Sequence, residues 1–94
     1  VEHARLVTLN LLSAAQAELG SIDRIQRIVK VLGFVNAAPD FERHPAVING
    51  CSDLLMAIFG RERGAHARSA IGAGSLPSRI TVEIEMIVAC EALP

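Results

Sequence analysis

Tryptophan and tyrosine are absent from this chain, and phenylalanine occurs only three times. Proteins that bind single-stranded nucleic acid stack bases on exposed aromatic rings, and there is little material for that here. A basic excess is also missing. Nine Lys plus Arg stand against ten Asp plus Glu, for a formal net charge of -1. General binding to a phosphate backbone draws on a surplus of cations or a clear basic stripe. Two small basic clusters, Arg24, Arg27 and Lys30, and Arg61 with Arg63, have acidic residues beside them. Nucleic acid is therefore not an expected partner. No apolar run reaches the roughly 20 residues of a membrane span, and no basic segment leads into an apolar core as in a signal peptide. Cys51 and Cys90 are not at metal-ligand or redox-motif spacing. Each falls on an apolar stripe and reads as a small buried hydrophobe, so a reduced, cytoplasmic setting is expected. His3, His44 and His66 are not spaced as ligands on one helix or turn, and no metal is expected.

What is present is aliphatic. Of the 94 residues, 51% are hydrophobic and 20% charged, which suits one small globular domain over 1–94. So small a domain buries a modest share of its own surface. The apolar content therefore points to further burial in an oligomer.

The pattern along the chain alternates between two periods. Residues 2–19 read as a helix, with Ala4, Val7, Leu11, Leu12, Ala14, Ala15 and Leu19 on one broad side and Gly20 as its stop. Leu6 and Leu9 interrupt its polar side. Residues 27–36 are β-branched and apolar on both faces, as in an interior strand. Val29, Val31 and Val35 are expected on one face, and Ile28, Leu32 and Phe34 on the other. A loop follows from Asn36 to Arg43. A second helix runs from about Pro45 to Phe59, with Val47, Cys51, Leu54, Leu55 and Ile58 as its buried stripe and Gly60 ending it. Two strands complete the chain, Ala65 to Ala73 and Ile80 to Cys90. The second alternates cleanly, with Ile80, Val82, Ile84, Met86, Val88 and Cys90 toward the core and Thr81, Glu83 and Glu85 away from it. The expected architecture is α+β, a sheet with two helices on one face. The chain opens already helical at Val1, which reads as the middle of a domain that lacks its N-terminal part.

If the last two strands form a hairpin with Ala73 opposite Ile80, Arg68 comes opposite Glu85 and Ala70 opposite Glu83. A guanidinium and two carboxylates would then share one sheet face beside the small residues Ala70 and Gly72. An arginine so placed can hold a carboxylate through two parallel hydrogen bonds, and a glutamate can deprotonate a water. The bland alternative is an exposed cross-strand ion pair, worth at most about 1 kcal/mol. His66 can act as an acid or base near neutral pH, although a structural hydrogen bond is the more ordinary role.

The run His66-Ala67-Arg68-Ser69-Ala70-Ile71, then Leu76-Pro77 and Val82-Glu83-Ile84-Glu85, closely resembles the C-terminal signature of the RidA (YjgF/YER057c/UK114) family. Gly33-Phe34-Val35-Asn36, followed by Asp40-Phe41 and Ile48-Asn49-Gly50, resembles an earlier part of the same family in the same order. The resemblance implies a chorismate-mutase-like α+β fold and a homotrimer with ligand clefts between subunits. It implies hydrolytic deamination of reactive enamine and imine acids to a 2-keto acid and ammonia, with no cofactor. On the same basis Arg68 would bind the substrate carboxylate, Glu83 would sit beside the attacking water, and Ala70 and Gly33 would line the pocket. His66, Glu85 and Asn36 are further candidates near it. Some members are described as ribonucleases, a role that the charge balance does not favour. Two more strands normally precede the first helix in the family. Pro39 stands where the deaminase archetype carries an asparagine, and Ala70 where a cysteine is common. A non-catalytic member that binds a small carboxylate is the alternative.

Overall fold

The structure is a computed structural model and describes residues 1–91. Helix α1 spans Glu2–Leu19 and stops at Gly20, whose left-handed backbone (φ 87°) lets its N–H close on the Gln16 carbonyl. A short 3-10 turn, Ile22–Arg24, with its first turn held by the Ser21 hydroxyl, leads into strand β1, Ile25–Asn36. Helix α2 covers His44–Gly64 with Pro45 in its first turn. Its helical geometry breaks at Gly60 (φ 75°), the expected stop, and the chain then winds one further turn. Strand β2 is Ala67–Ala73, and strand β3 is Val82–Cys90.

The sheet order is β2-β1-β3, with β2 parallel to β1 and β3 antiparallel to it. The expected hairpin between the last two strands does not form. β1 is long and apolar on both faces, so it takes the centre and offers both edges. β2 arrives after a helical crossover and so pairs in parallel. The connection through the 3-10 turn Pro77–Arg79 then delivers β3 to the opposite edge.

Both helices cover one face. α1 packs on α2 and β3, and α2 on β1 and β2. The core joins Ala4 and Leu12 of α1, Ile48, Cys51, Leu55 and Phe59 of α2, and Ile25, Ile28, Val31, Val35, Val82 and Ile84 of the sheet. Two irregularities in the β1–β3 register, at Ile25/Arg27 and Ile28/Lys30, each insert a residue into β1. They bring Ile25, Ile28 and Val31 to the core face at intervals of three. Ile28 thus belongs with Val31 and Val35, and Val29 does not, contrary to simple alternation. Val82 and Ile84 are buried as expected, but Cys90 is exposed at the last rung, where it pairs with Ile25. Among the described residues, no helix is long and apolar enough to cross a membrane.

Candidate functional site around Arg68

The register decides which side chains can meet. Arg68 pairs with Val31, Ala70 with Gly33, and Gly72 with Val35. Paired residues share a face, and Val31 and Val35 face the helices. The row Arg68, Ala70, Gly72 therefore runs along the helix-covered side of the β2 edge. Beyond Arg68 the row holds only the small residues Ala70 and Gly72. Gly72 lies under His44, whose Nε2 would be 2.6 Å from a Cβ placed there. His44 is itself braced edge-on by Phe41, with ring centroids 5.1 Å apart.

Arg68 is half-buried and leans on α2. Its Nη1 donates to Asn49 Oδ1 at 2.8 Å and to Ser52 Oγ at 3.2 Å. Asn49 and Ser52, three apart, flank the buried stripe of α2 on the side facing β2. Ser52 Oγ is also 2.9 Å from His66 Nε2, and His66 Nδ1 is 2.6 Å from the Gly64 carbonyl. A carbonyl only accepts, so Nδ1 carries the proton and Nε2 accepts from the serine hydroxyl in the neutral ring. Among the described residues no carboxylate forms an ion pair with Arg68. Both Nη1 protons are engaged by neutral oxygens, while Nε and Nη2 keep the planar two-donor edge that matches a carboxylate.

Beneath this network Cys51 is fully buried. Burial pushes its thiol pKa up, against smaller opposing effects from the Thr8 hydroxyl and the Arg68 charge. The thiol is a packing element below the guanidinium.

Glu83 and Glu85 lie elsewhere. Glu83 pairs with Phe34 and Glu85 with Leu32, on the other edge of β1 and on the helix-free face. Met86, not a glutamate, is level with Val31 and Arg68. Within one chain Glu83 is roughly 10 Å from Arg68 across the sheet and about as far along it, on the opposite side. The expected grouping of one guanidinium with two carboxylates on one face is thus corrected, because β1 lies between them. Asn36 is also apart from Arg68. Its Nδ2 donates to the Ile80 carbonyl at 3.1 Å and its backbone N–H to the Thr81 carbonyl, so it ties down the entry to β3. Gly33 sits in the central strand under Ile48, whose Cδ1 would be 2.6 Å from a Cβ there. Its helix-side space is occupied by packing.

Asn49 and Ser52 were not singled out from the sequence, where α2 is visible only through its apolar stripe. A polar pair spaced i, i+3 beside that stripe was the available signal. A concavity of about 620 Å³ lies between α1 and β3 and is lined by Leu6, Val7, Ile80, Thr81 and Glu83 among others. It is mostly aliphatic and does not include Arg68. The basic clusters are partly structural, since Arg63 donates to the Ile25 carbonyl and lies 5.1 Å over the Phe59 ring.

The family model for Endoribonuclease L-PSP matches residues 1–90. Protein TCP17 of Trypanosoma cruzi is 45% identical over 85 residues, which are 90% of this chain and 53% of that protein. Among solved structures, the Agrobacterium tumefaciens protein Atu1372, of unknown function, superposes with a TM-score of 0.91 at 41% identity, covering 95% of this chain and 57% of that one. A Shewanella oneidensis protein described as a "putative endoribonuclease" gives 0.85 at 30% identity, covering 90% and 56%. The chain spans a little over half the length of each of these relatives. On this evidence the chain belongs to the Endoribonuclease L-PSP family, that is, the RidA (YjgF/YER057c/UK114) family.

Proposed function

We propose that the Arg68 site holds the carboxylate of a small 2-imino or enamino acid, and that the protein hydrolyses such intermediates to a 2-keto acid and ammonia without a cofactor, in the cytoplasm. The observation that carries this reading is the guanidinium of Arg68, anchored through Nη1 on two neutral acceptors with no carboxylate among the described residues pairing it. A half-buried cation so arranged favours an anionic ligand, and its free edge suits a planar one.

In the reaction, water adds to the C=N carbon and gives a proton to a carboxylate base. Water addition leaves a carbinolamine once the imine nitrogen has taken up that proton; the base then moves the hydroxyl proton to the nitrogen, the C–N bond breaks, and ammonia leaves as the carbonyl forms. Glu83 is the base in this reading. Since Glu83 and Arg68 of one chain occupy opposite edges and faces, the reading takes Glu83 from a neighbouring copy in a homotrimer with clefts between subunits. The helix-free sheet face supports such an assembly, with Ile71 46% and Ile87 58% exposed beside half-buried Leu32 and Phe34. A ribonuclease reading has no support from the charge balance or from Arg63, which is engaged within the fold.

The test is ammonia release from an imino acid generated in place. Arg68→Ala is expected to lower kcat/KM about 100-fold, because a charge-assisted pair of hydrogen bonds is lost. Arg68→Lys keeps the charge but not the fork and should fall between. Equal rates for Arg68→Ala and the parent protein would remove Arg68 from the reaction. The separation of Glu83 from Arg68 favours a second reading, a carboxylate-binding member without turnover. It is recognised by saturable 2-keto acid binding with no ammonia release.

A further inference from the structure

We infer that His66 and Ser52 are positioning residues that set the direction in which Arg68 presents its free edge, so that the site selects planar carboxylates. The inference rests on the carboxylate-holding reading of Arg68. With the imidazole neutral, the chain of contacts has a single polarity. The Gly64 carbonyl accepts from His66 Nδ1 at 2.6 Å, which leaves Nε2 as an acceptor 2.9 Å from Ser52 Oγ. The serine proton therefore points to the imidazole. A serine oxygen lone pair is then turned toward Arg68 Nη1 at 3.2 Å. Asn49 Oδ1 takes the other Nη1 proton at 2.8 Å.

The consequence for the guanidinium is geometric. With both Nη1 protons directed at α2, the group cannot spin about its stem to offer Nη1 and Nη2 end-on. It offers Nε–H and one Nη2–H side by side, the spacing that fits the two oxygens of one carboxylate. His66 never touches the ligand in this scheme. It acts through Ser52, and Ser52 acts through Arg68.

Three kinds of variant separate this role from plain packing. Ser52→Ala removes the relay. Ser52→Thr keeps a hydroxyl at the same place. His66→Gln restores an acceptor at the reach of Nε2, while His66→Asn reaches the Gly64 carbonyl but not Ser52. The probe is 2-oxobutyrate, with binding followed by titration calorimetry and folding followed by thermal melting of each variant. Ser52→Ala and His66→Asn should each weaken binding about tenfold, in keeping with the loss of one hydrogen bond to a charged group. Ser52→Thr and His66→Gln should remain within about threefold of the parent protein, on the same hydrogen-bond scale. In the Ser52→Ala background, His66→Asn should add nothing further.

The outcomes are distinct. If Arg68→Ala binds 2-oxobutyrate as well as the parent does, the carboxylate-holding reading fails, and this inference with it. If Arg68→Ala abolishes binding but the His66 and Ser52 effects simply add, or His66→Gln is as impaired as His66→Asn, the relay is overturned while the reading of Arg68 stands.

Discussion

At the scale of single residues, the site is a cation held by neutral groups above a buried thiol. Cys51 makes that burial measurable. Its thiol is raised above the ordinary 9.0 chiefly by burial, so the folded protein keeps its proton in a range where the unfolded chain has released it. The stability associated with that proton is fully present below the unfolded thiol pKa and is lost as pH rises through the folded one. Denaturation midpoints should therefore decline above pH 9.0, with a slope of at most about 1.4 kcal/mol per pH unit from this group. Cys51→Ala should cost about 1 kcal/mol at neutral pH through a small cavity and should lose this part of the alkaline decline. The exposed Cys90 is common to both proteins, so urea titrations of the pair between pH 7 and pH 10.5 isolate the Cys51 contribution. Parallel curves would show that the burial has no energetic effect on the thiol. Residue identity alone pointed to Arg68 through its motif. It left the partners on α2 unmarked, because a polar pair spaced i, i+3 beside an apolar stripe is equally the pattern of a solvated helix flank.

At the scale of elements, the decisive contact is between α2 and the central strand. Ile48 lies directly on Gly33, and a methyl group there would meet Ile48 Cδ1 at 2.6 Å, Cγ1 at 2.8 Å and Cγ2 at 3.0 Å. Three atoms of one fully buried side chain cannot all yield by a rotamer change. Gly33→Ala should destabilise the fold by about 1–3 kcal/mol through overpacking, and trimming the obstacle in Gly33→Ala/Ile48→Val should recover part of the loss. Chemical denaturation of the single and double variants checks both expectations, and a single variant as stable as the parent would mean that the helix can lift off the strand. The elements themselves were legible. α1, β1, the start of α2 and both later strands fall close to where apolar period and turn residues put them. Their arrangement was not. Sequential strands are neighbours more often than not, and nothing in residues 74–79 betrays that this connection carries the chain past β1 to its far edge. The two extra residues in β1 were hidden for a related reason. A run that is apolar on both faces has no polar marker to show where alternation slips.

At the scale of the molecule, one face of the sheet is covered by helices and the other displays Ile71 and Ile87 with Leu32 and Phe34 partly shielded. An aliphatic composition with few aromatics gives the same indication from the sequence, namely that a small chain carries more apolar surface than its own core uses. In the proposed assembly this surface is the contact between copies. Ile87→Glu places a charge at a position already exposed in the single chain. It should change the stability of an isolated chain by no more than about 0.5 kcal/mol, yet lower the mass observed by sedimentation. An unchanged mass would place the contact elsewhere. The fold class was readable from pattern and resemblance together. The division of site residues between two edges of the sheet was not, because it depends on strand order.

The central position of β1 has a genetic consequence. Because Arg68 and Glu83 lie on opposite sides of that strand, damage to one leaves the other untouched in the same chain. In the proposed assembly, where each cleft takes Arg68 from one copy and Glu83 from the next, two impaired proteins, Arg68→Ala and Glu83→Gln, should therefore rescue each other when co-expressed. In a random mixture about a quarter of the clefts between copies would receive an intact arginine from one chain and an intact glutamate from the next. Activity of the mixed population would then rise well above that of either variant alone. If both residues of a working site came from one chain, the mixture would stay as inactive as its components.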